Sequence, residues 1–137
     1  MNQSTLKHRS HCVYALNYHL VIVTKYRKKC LNDEMLRVIE LSARERCEAR
    51  DGELIEVNGE ADHVHLLVSL PPHVALSEFM NALKTNTARV LRRDFKSTLV
   101  KFYKESVLWS RSYCAISVGG APLDVLKRYI DQQDRPH

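Results

Sequence analysis

The chain has 137 residues, 45% of them hydrophobic and 27% charged, with a formal net charge of +5. That length and apolar share describe one domain with a packed core and exclude a disordered chain; no apolar run approaches the roughly 20 residues of a membrane span, and the opening MNQSTLKHRSHC lacks the apolar stretch of a secretory signal. The positive balance favours a polyanionic partner, of which nucleic acid is the commonest.

In chain order, residues 13–24 (VYALNYHLVIVT) read as a long strand. The run Lys25-Tyr26-Arg27-Lys28-Lys29 follows it, with an aromatic ring set among cations. Asn32-Asp33-Glu34 offers a helix start with acid in the first turn. Leu36, Ile39, Ala43 and Cys47 recur at helical spacing, which predicts an amphipathic helix over 33–50, broken by Asp51-Gly52. A strand, ELIEVNGE, leads into a second, DHVHLLVSL, which Pro71-Pro72 ends. Ser77 is the expected N-cap of a helix running to about Phe95. Phe79, Leu83 and Val90 lie on its apolar side, with Lys84, Arg89, Arg92, Arg93 and Lys96 mostly elsewhere. Residues 107–118 (VLWSRSYCAISV) read as a further strand with Trp109, Arg111 and Tyr113 on one face. Gly119-Gly120 turns the chain, and Pro122 opens a last helix over about 122–133 that carries Tyr129. The order β-α-β-β-α-β-α describes an α+β domain over 1–137 with a mainly antiparallel sheet and a ferredoxin-like centre. Cys12, Cys30, Cys47 and Cys114 form no Cys-x-x-Cys pair and no zinc-ribbon spacing, so reduced thiols in a cytoplasmic protein are expected.

The most informative residues are His63-Val64-His65. On a strand, side chains two apart leave the same face, so both imidazoles project together. Two polar rings on a core strand cost free energy unless they are satisfied. Hydrogen bonds within the core are one solution, and a divalent metal is another. Tyr129 and Gln133 are four residues apart on the last helix and share a face, while Leu126 and Ile130 can anchor an adjacent stripe. If that helix lies over the histidines, two imidazole nitrogens, an amide oxygen and a phenol come together. Such a mixed donor set leaves room for water or a phosphate oxygen. A cation there would polarise a phosphodiester for in-line attack by Tyr129. A free phenol has a pKa of about 10, so nearby positive charge would have to assist its ionisation.

DHVHLLVSLPP, the basic helix SEFMNALKTNTARVLRRDF, then LWSRSYCAISVGG and VLKRYIDQQ follow one another in an order that resembles the single-tyrosine HUH transposases of the smallest bacterial insertion sequences, the IS200-like family. The upstream YHLVIVTKYRKK resembles that family's opening strand, and the likeness runs from about Tyr14 to Gln133. It implies that His63 and His65 bind a divalent metal, Mg2+ or Mn2+, with Gln133 as third ligand. It implies that Tyr129 is the nucleophile that cuts single-stranded DNA, leaving a 5′-phosphotyrosine and a free 3′-OH. It further implies hairpin recognition at element ends and a homodimer in which the tyrosine helix of one subunit can complete the other's site. The chain stops soon after Gln133, so a longer tail is not expected.

Plainer roles stand beside these. Tyr129 alone could be an amphipathic core residue, and Gln133 alone a solvated one. Lys25, Arg27, Lys28 and Lys29 are expected to contact DNA through a positive groove with stacking rings, or else to be a solvated loop. Arg89, Arg92 and Arg93 form a second candidate DNA contact, although Arg92 and Arg93 could equally pair with Asp94. Trp109 is expected in the core. Asp62 could orient a ligand from behind or shape a turn. His8, His11, His19, His73 and His137 form no second cluster and receive no role. A domesticated relative acting on chromosomal hairpins, a hairpin binder without cleavage and a metallonuclease using activated water remain alternatives.

Overall fold

Alternation of buried and half-buried side chains organises the computed structural model, which describes residues 7–9, 12–14, 16–118 and 129–132. Strands β1 (Lys7–Arg9) and β2 (Cys12–Tyr14) form an antiparallel pair of their own. Strand β3 (Asn17–Val23) is followed by a 3-10 turn at Lys25–Arg27 and helix α1 (Asp33–Ala49). Then come β4 (Glu53–Gly59), β5 (His63–Ser69), α2 (Leu76–Asp94), the single turn α3 (Lys96–Leu99) and β6 (Cys114–Ser117). The main sheet has the order β4-β5-β3-β6, and every neighbouring pair in it is antiparallel. With α1 and α2 as crossovers this is the expected α+β, ferredoxin-like arrangement.

One face of the sheet carries the core. Leu20 and Ile22 of β3 and Val64, Leu66 and Val68 of β5 point into it. Met35, Ile39, Ala43 and Cys47 of α1 and Phe79, Met80, Leu83 and Leu91 of α2 cover it. Asn32 caps α1 as expected, its side chain accepting from the Met35 backbone N–H at 2.9 Å. Gly52 follows that helix because a Cβ there would stand 2.5 Å from the Ser69 carbonyl oxygen. The opposite face is thinner. Val21 and Val23 are buried beneath Cys114, Ile116, Tyr129 and Ile130.

Three expectations change. Residues 13–24 are not one strand: β2 pairs only with β1, whereas β3 pairs with β5 and β6, so the two cannot share a ladder. Helix α2 begins before Ser77, because the Phe79 N–H already donates to the Ala75 carbonyl; Ala75 is the cap and supplies no side-chain bond. Its core stripe ends on Thr87 and Leu91, and Val90 is half-buried. Of residues 107–118 only Cys114–Ser117 are strand, plus a lone bridge from Trp109 to Thr24. The Lys84 ammonium donates to the Ser110 and Arg111 carbonyls at 2.7 and 3.0 Å, taking the place of ladder partners there. Trp109, Arg111 and Tyr113 therefore share no strand face. Trp109 is in the core as expected, its indole N–H donating to Thr87 Oγ1 at 2.9 Å. The Gly119-Gly120 turn, Pro122, Leu126 and Gln133 lie outside the described residues, while residues 129–131 are helical. Among the described residues no helix is long and apolar enough to cross a membrane.

Candidate active site

Register decides what the histidines meet. In the antiparallel β3–β5 ladder, Val23 lies opposite His63, Val21 opposite His65, and His19 opposite Leu67. Period-two alternation then places His19, His63 and His65 on the face that the Tyr129 turn covers, away from the α1–α2 core.

His63 is fixed from behind. Its Nδ1 lies 2.9 Å from Asp62 Oδ1. The other carboxylate oxygen of Asp62 accepts from Arg27 Nε and Nη2 at 3.2 and 3.1 Å. The Asp62 carbonyl in turn accepts from the backbone N–H and the hydroxyl of buried Thr24. Asp62 is only 6% exposed. Burial pushes its carboxyl up, but the His63 bond and the Arg27 charge and bonds outweigh that and hold it below the usual carboxylate range. A carboxylate accepting at Nδ1 assigns the His63 proton to that nitrogen and leaves the Nε2 lone pair outward. Of the two roles open to Asp62, contact with the histidine is thus realised directly.

His65 has a partner that local sequence did not reveal. His19 Nδ1 lies 2.9 Å from His65 Nε2, with ring centroids 5.0 Å apart and tilted by 32°. Burial lowers the His65 pKa and the His19 charge pushes the same way, with Glu56 opposing and His63 adding to the fall, which favours the neutral ring, the form that ligates a metal. Its Nε2 is the atom His19 engages, so a cation bound there displaces that bond; Nδ1 is the ring's other donor. Only pairing across 46 residues brings His19 here.

Tyr129 and Ile130 rest on Val21, Val23, Cys114 and Ile116. The phenol oxygen lies 3.0 Å from the exposed Ser112 hydroxyl. Burial raises the Tyr129 pKa, the Ser112 bond pulls it down and the Cys114 charge pushes it up. A cavity of about 570 Å³ joins the two sides of the site, lined by Arg27, Lys29, Asp62 and His63 below and by Ile130 and Asp131 of the tyrosine turn.

The imidazoles fit a divalent cation: Asp62 engages His63 at Nδ1 and leaves Nε2 directed away from it, and burial favours the neutral form of His65 beside it. Among the described residues no three His, Cys, Asp or Glu side chains form a metal-binding group, and the expected third donor, Gln133, is a carboxamide outside those residues. The basic residues divide. Arg27 is committed to Asp62. Lys28 donates to the Phe102 carbonyl at 2.8 Å and stands over the Tyr103 ring. Lys25 lies over the Tyr26 ring, and Lys29 is exposed at the cavity. Arg89 donates to Asn86, and Arg93 chelates Asp94 at 2.8 and 3.2 Å. Arg92 makes no ion pair among the described residues.

Comparison with known proteins matches residues 12–133 to the family described as transposase IS200-like. The transposase of insertion sequence element IS200 from Salmonella typhimurium is 31% identical over 113 residues, which is 82% of this chain and 74% of that protein. The ISDra2 transposase TnpA of Deinococcus radiodurans is 32% identical over 121 residues, covering 88% of this chain and 86% of that one. A crystal structure of a Deinococcus radiodurans protein assigned as a transposase superposes with a TM-score of 0.84 at 30% identity, over 95% of this chain and 99% of the other. A REP-associated tyrosine transposase bound to a REP hairpin shares the fold, with a TM-score of 0.58 at 10% identity over 91% of this chain and 68% of the other.

Proposed function

This chain belongs to the IS200-like transposase family, and from that premise we propose that it nicks and rejoins single-stranded DNA at hairpin-marked element ends through a 5′-phosphotyrosine. The observation that carries the reading is the shared sheet face: the Tyr129 turn packs on Val21 and Val23, directly opposite His65 and His63 in the ladder.

In the proposed reaction, the Tyr129 oxygen attacks the scissile phosphorus. An O–P bond forms, the P–O3′ bond breaks, and the departing 3′-oxygen takes a proton to become a 3′-OH. The phenol proton passes to the Ser112 hydroxyl 3.0 Å away, which is exposed and hands it to water. Rejoining reverses the polarity: the 3′-OH of an incoming strand attacks the phosphotyrosine, loses its proton to solvent, and the phenol is released protonated. His63, His65 and Gln133 would hold Mg2+ or Mn2+, which as a Lewis acid supplies stabilisation of charge on the phosphate oxygens. Asp62 keeps His63 in the ligating tautomer, and Arg27 keeps Asp62 ionised. Lys29 at the cavity and Lys25 beside the Tyr26 ring, with Arg89, Arg92 and Arg93 on α2, would bind phosphates. Arg27 and Lys28, also expected to touch DNA, act in this reading through the internal partners described above. A homodimer in which the tyrosine helix of one subunit completes the other's site is part of the proposal, carried over from the family resemblance.

The test is a denaturing gel after mixing the chain with labelled hairpin DNA and Mg2+ or Mn2+. A covalent adduct is expected for the native chain and none for Tyr129→Phe, with hairpin binding retained. An adduct that persists in Tyr129→Phe overturns the assignment. Binding without any adduct in the native chain would make it a non-cleaving hairpin binder.

A further inference from the structure

Two basic runs far apart in sequence, at 25–29 and 92–96, are joined in space by the segment that follows α3. A cavity of about 530 Å³ is lined by Arg92, Arg93, Lys96 and Lys104. A second, of about 330 Å³, is lined by Tyr26, Lys28, Lys101 and again Lys104. The two share Val100, Tyr103, Lys104, Glu105 and Val107, so they adjoin along that segment and together make a basic trough. At its far lip, Tyr26 and Lys28 alternate in sequence with Arg27 and Lys29, which line the cavity beside His63. The trough therefore extends from the C-terminal end of α2 to Tyr26 and Lys28, and the cavity beside His63 is lined by the alternate residues of the same run. Lys96, Lys101 and Lys104 are exposed, and none of them makes an ion pair among the described residues. The opposing acids are Asp94, already held by Arg93, and Glu105.

Tyr26 identifies the kind of polyanion. It has φ 60° and Arg27 has φ 55°, two consecutive left-handed residues that carry a Cβ. Such backbone persists only where its surroundings hold it. Here the Lys25 N–H donates to the Leu108 carbonyl, the Arg27 N–H to Thr24, and the Tyr103 hydroxyl to the Lys25 carbonyl at 2.7 Å. The result is a phenol ring turned out of the core, 45% exposed, with the Lys25 ammonium 5.5 Å from its centroid. A flat exposed ring inside a cationic groove is what stacks an unpaired base. A paired stem, whose bases are stacked on one another, would use the cations alone.

Resting on the transposase reading, we propose that this trough binds the single-stranded DNA flanking the hairpin. Arg92, Lys96, Lys101 and Lys104 hold its phosphates, and a base stacks on Tyr26.

The test measures anisotropy of three labelled DNAs, a blunt hairpin and the same hairpin with an oligo-dT extension at its 5′ or at its 3′ end. It is done in the Tyr129→Phe chain with EDTA, so it requires neither cleavage nor metal. Tyr26→Gly relieves the left-handed backbone and should stay folded by circular dichroism. It is expected to weaken binding of an extended hairpin by about 5-fold or more, the low end for one stacked base, and Tyr26→Phe to restore it. Lys101→Ala and Lys104→Ala should each lower the salt slope for the extension by about 0.7. The blunt hairpin should be unaffected in all four variants. Equal losses for the blunt hairpin would assign the trough to duplex, and unchanged binding of both extended hairpins would remove DNA from it; either overturns the proposal. If the native chain forms no adduct but these effects appear, the chemistry fails and the trough stands.

Discussion

Asp62→Asn is the most revealing single change. The carboxylate serves two donors with its two oxygens: His63 Nδ1 at 2.9 Å on one, Arg27 Nε and Nη2 at 3.2 and 3.1 Å on the other. An asparagine has one oxygen and one NH2: with the oxygen on His63 the NH2 faces the Arg27 donors, and with the oxygen on Arg27 the NH2 faces Nδ1 and moves the His63 proton to Nε2, the nitrogen that would ligate. If the oxygen stays on His63, Arg27 loses its counter-charge while 85% of its side chain is buried, and its Nη1 is already without a partner. Charge-assisted bonds contribute about 1.5–3 kcal/mol, and breaking a fully buried pair costs about 3–5 kcal/mol. For this partly buried group a loss of about 2–4 kcal/mol is expected, within what a domain with about 5–15 kcal/mol of stability survives. Urea denaturation followed by circular dichroism measures it, and Mn2+ titration calorimetry on the folded variant should show about 10- to 100-fold weaker binding. A loss below about 0.5 kcal/mol together with unchanged Mn2+ affinity would refute the view that Asp62 organises this site.

Other outcomes follow from single contacts. A cation at His65 Nε2 must displace the His19 bond, so His19→Leu should raise Mn2+ affinity about 5-fold, the equivalent of one hydrogen bond of about 1 kcal/mol; weaker binding by electron paramagnetic resonance would instead make His19 a supporting group. His63→Ala and His65→Ala should each abolish cleavage of hairpin DNA even in excess Mg2+ or Mn2+, and activity retained in either removes that ring from the mechanism. Trp109→Phe deletes the donor to buried Thr87 Oγ1, and its cost should shrink by about 1 kcal/mol in a Thr87→Val background; additive costs would show that the bond contributes nothing. Burial pushes the Cys47 thiol from 9.0 up to about 12. Its raised folded value favours the protonated form, so its contribution is complete below pH about 9 and is lost as pH rises towards 12, by up to about 1.4 kcal/mol per pH unit. Cys47→Ala should flatten that alkaline limb, and an unchanged limb would place the loss elsewhere.

What the sequence by itself determined is what short stretches of chain encode. The helical spacing of Ile39, Ala43 and Cys47, the Asn32 cap and the period-two pattern of DHVHLLVSL all survive in the fold, because each depends on neighbours within a few residues. The same local periodicity put His63 and His65 on one face, and the run of motifs identified the family. Local pattern misjudged residues 107–118, where alternation continues but the ladder does not: Lys84, from a different element, takes the carbonyls that strand pairing would need. It also could not say that Arg27 and Lys28, adjacent members of one basic run, turn to Asp62 and the Phe102 carbonyl rather than to solvent. His19 received no role for the same reason. Its partner is 46 residues away, and only the antiparallel register of β3 against β5 brings the two rings to 2.9 Å. Tertiary structure alone decided which polar groups satisfy one another, because a buried donor is committed by whatever acceptor packing brings within reach, and that depends on strand register and helix placement rather than on residue spacing.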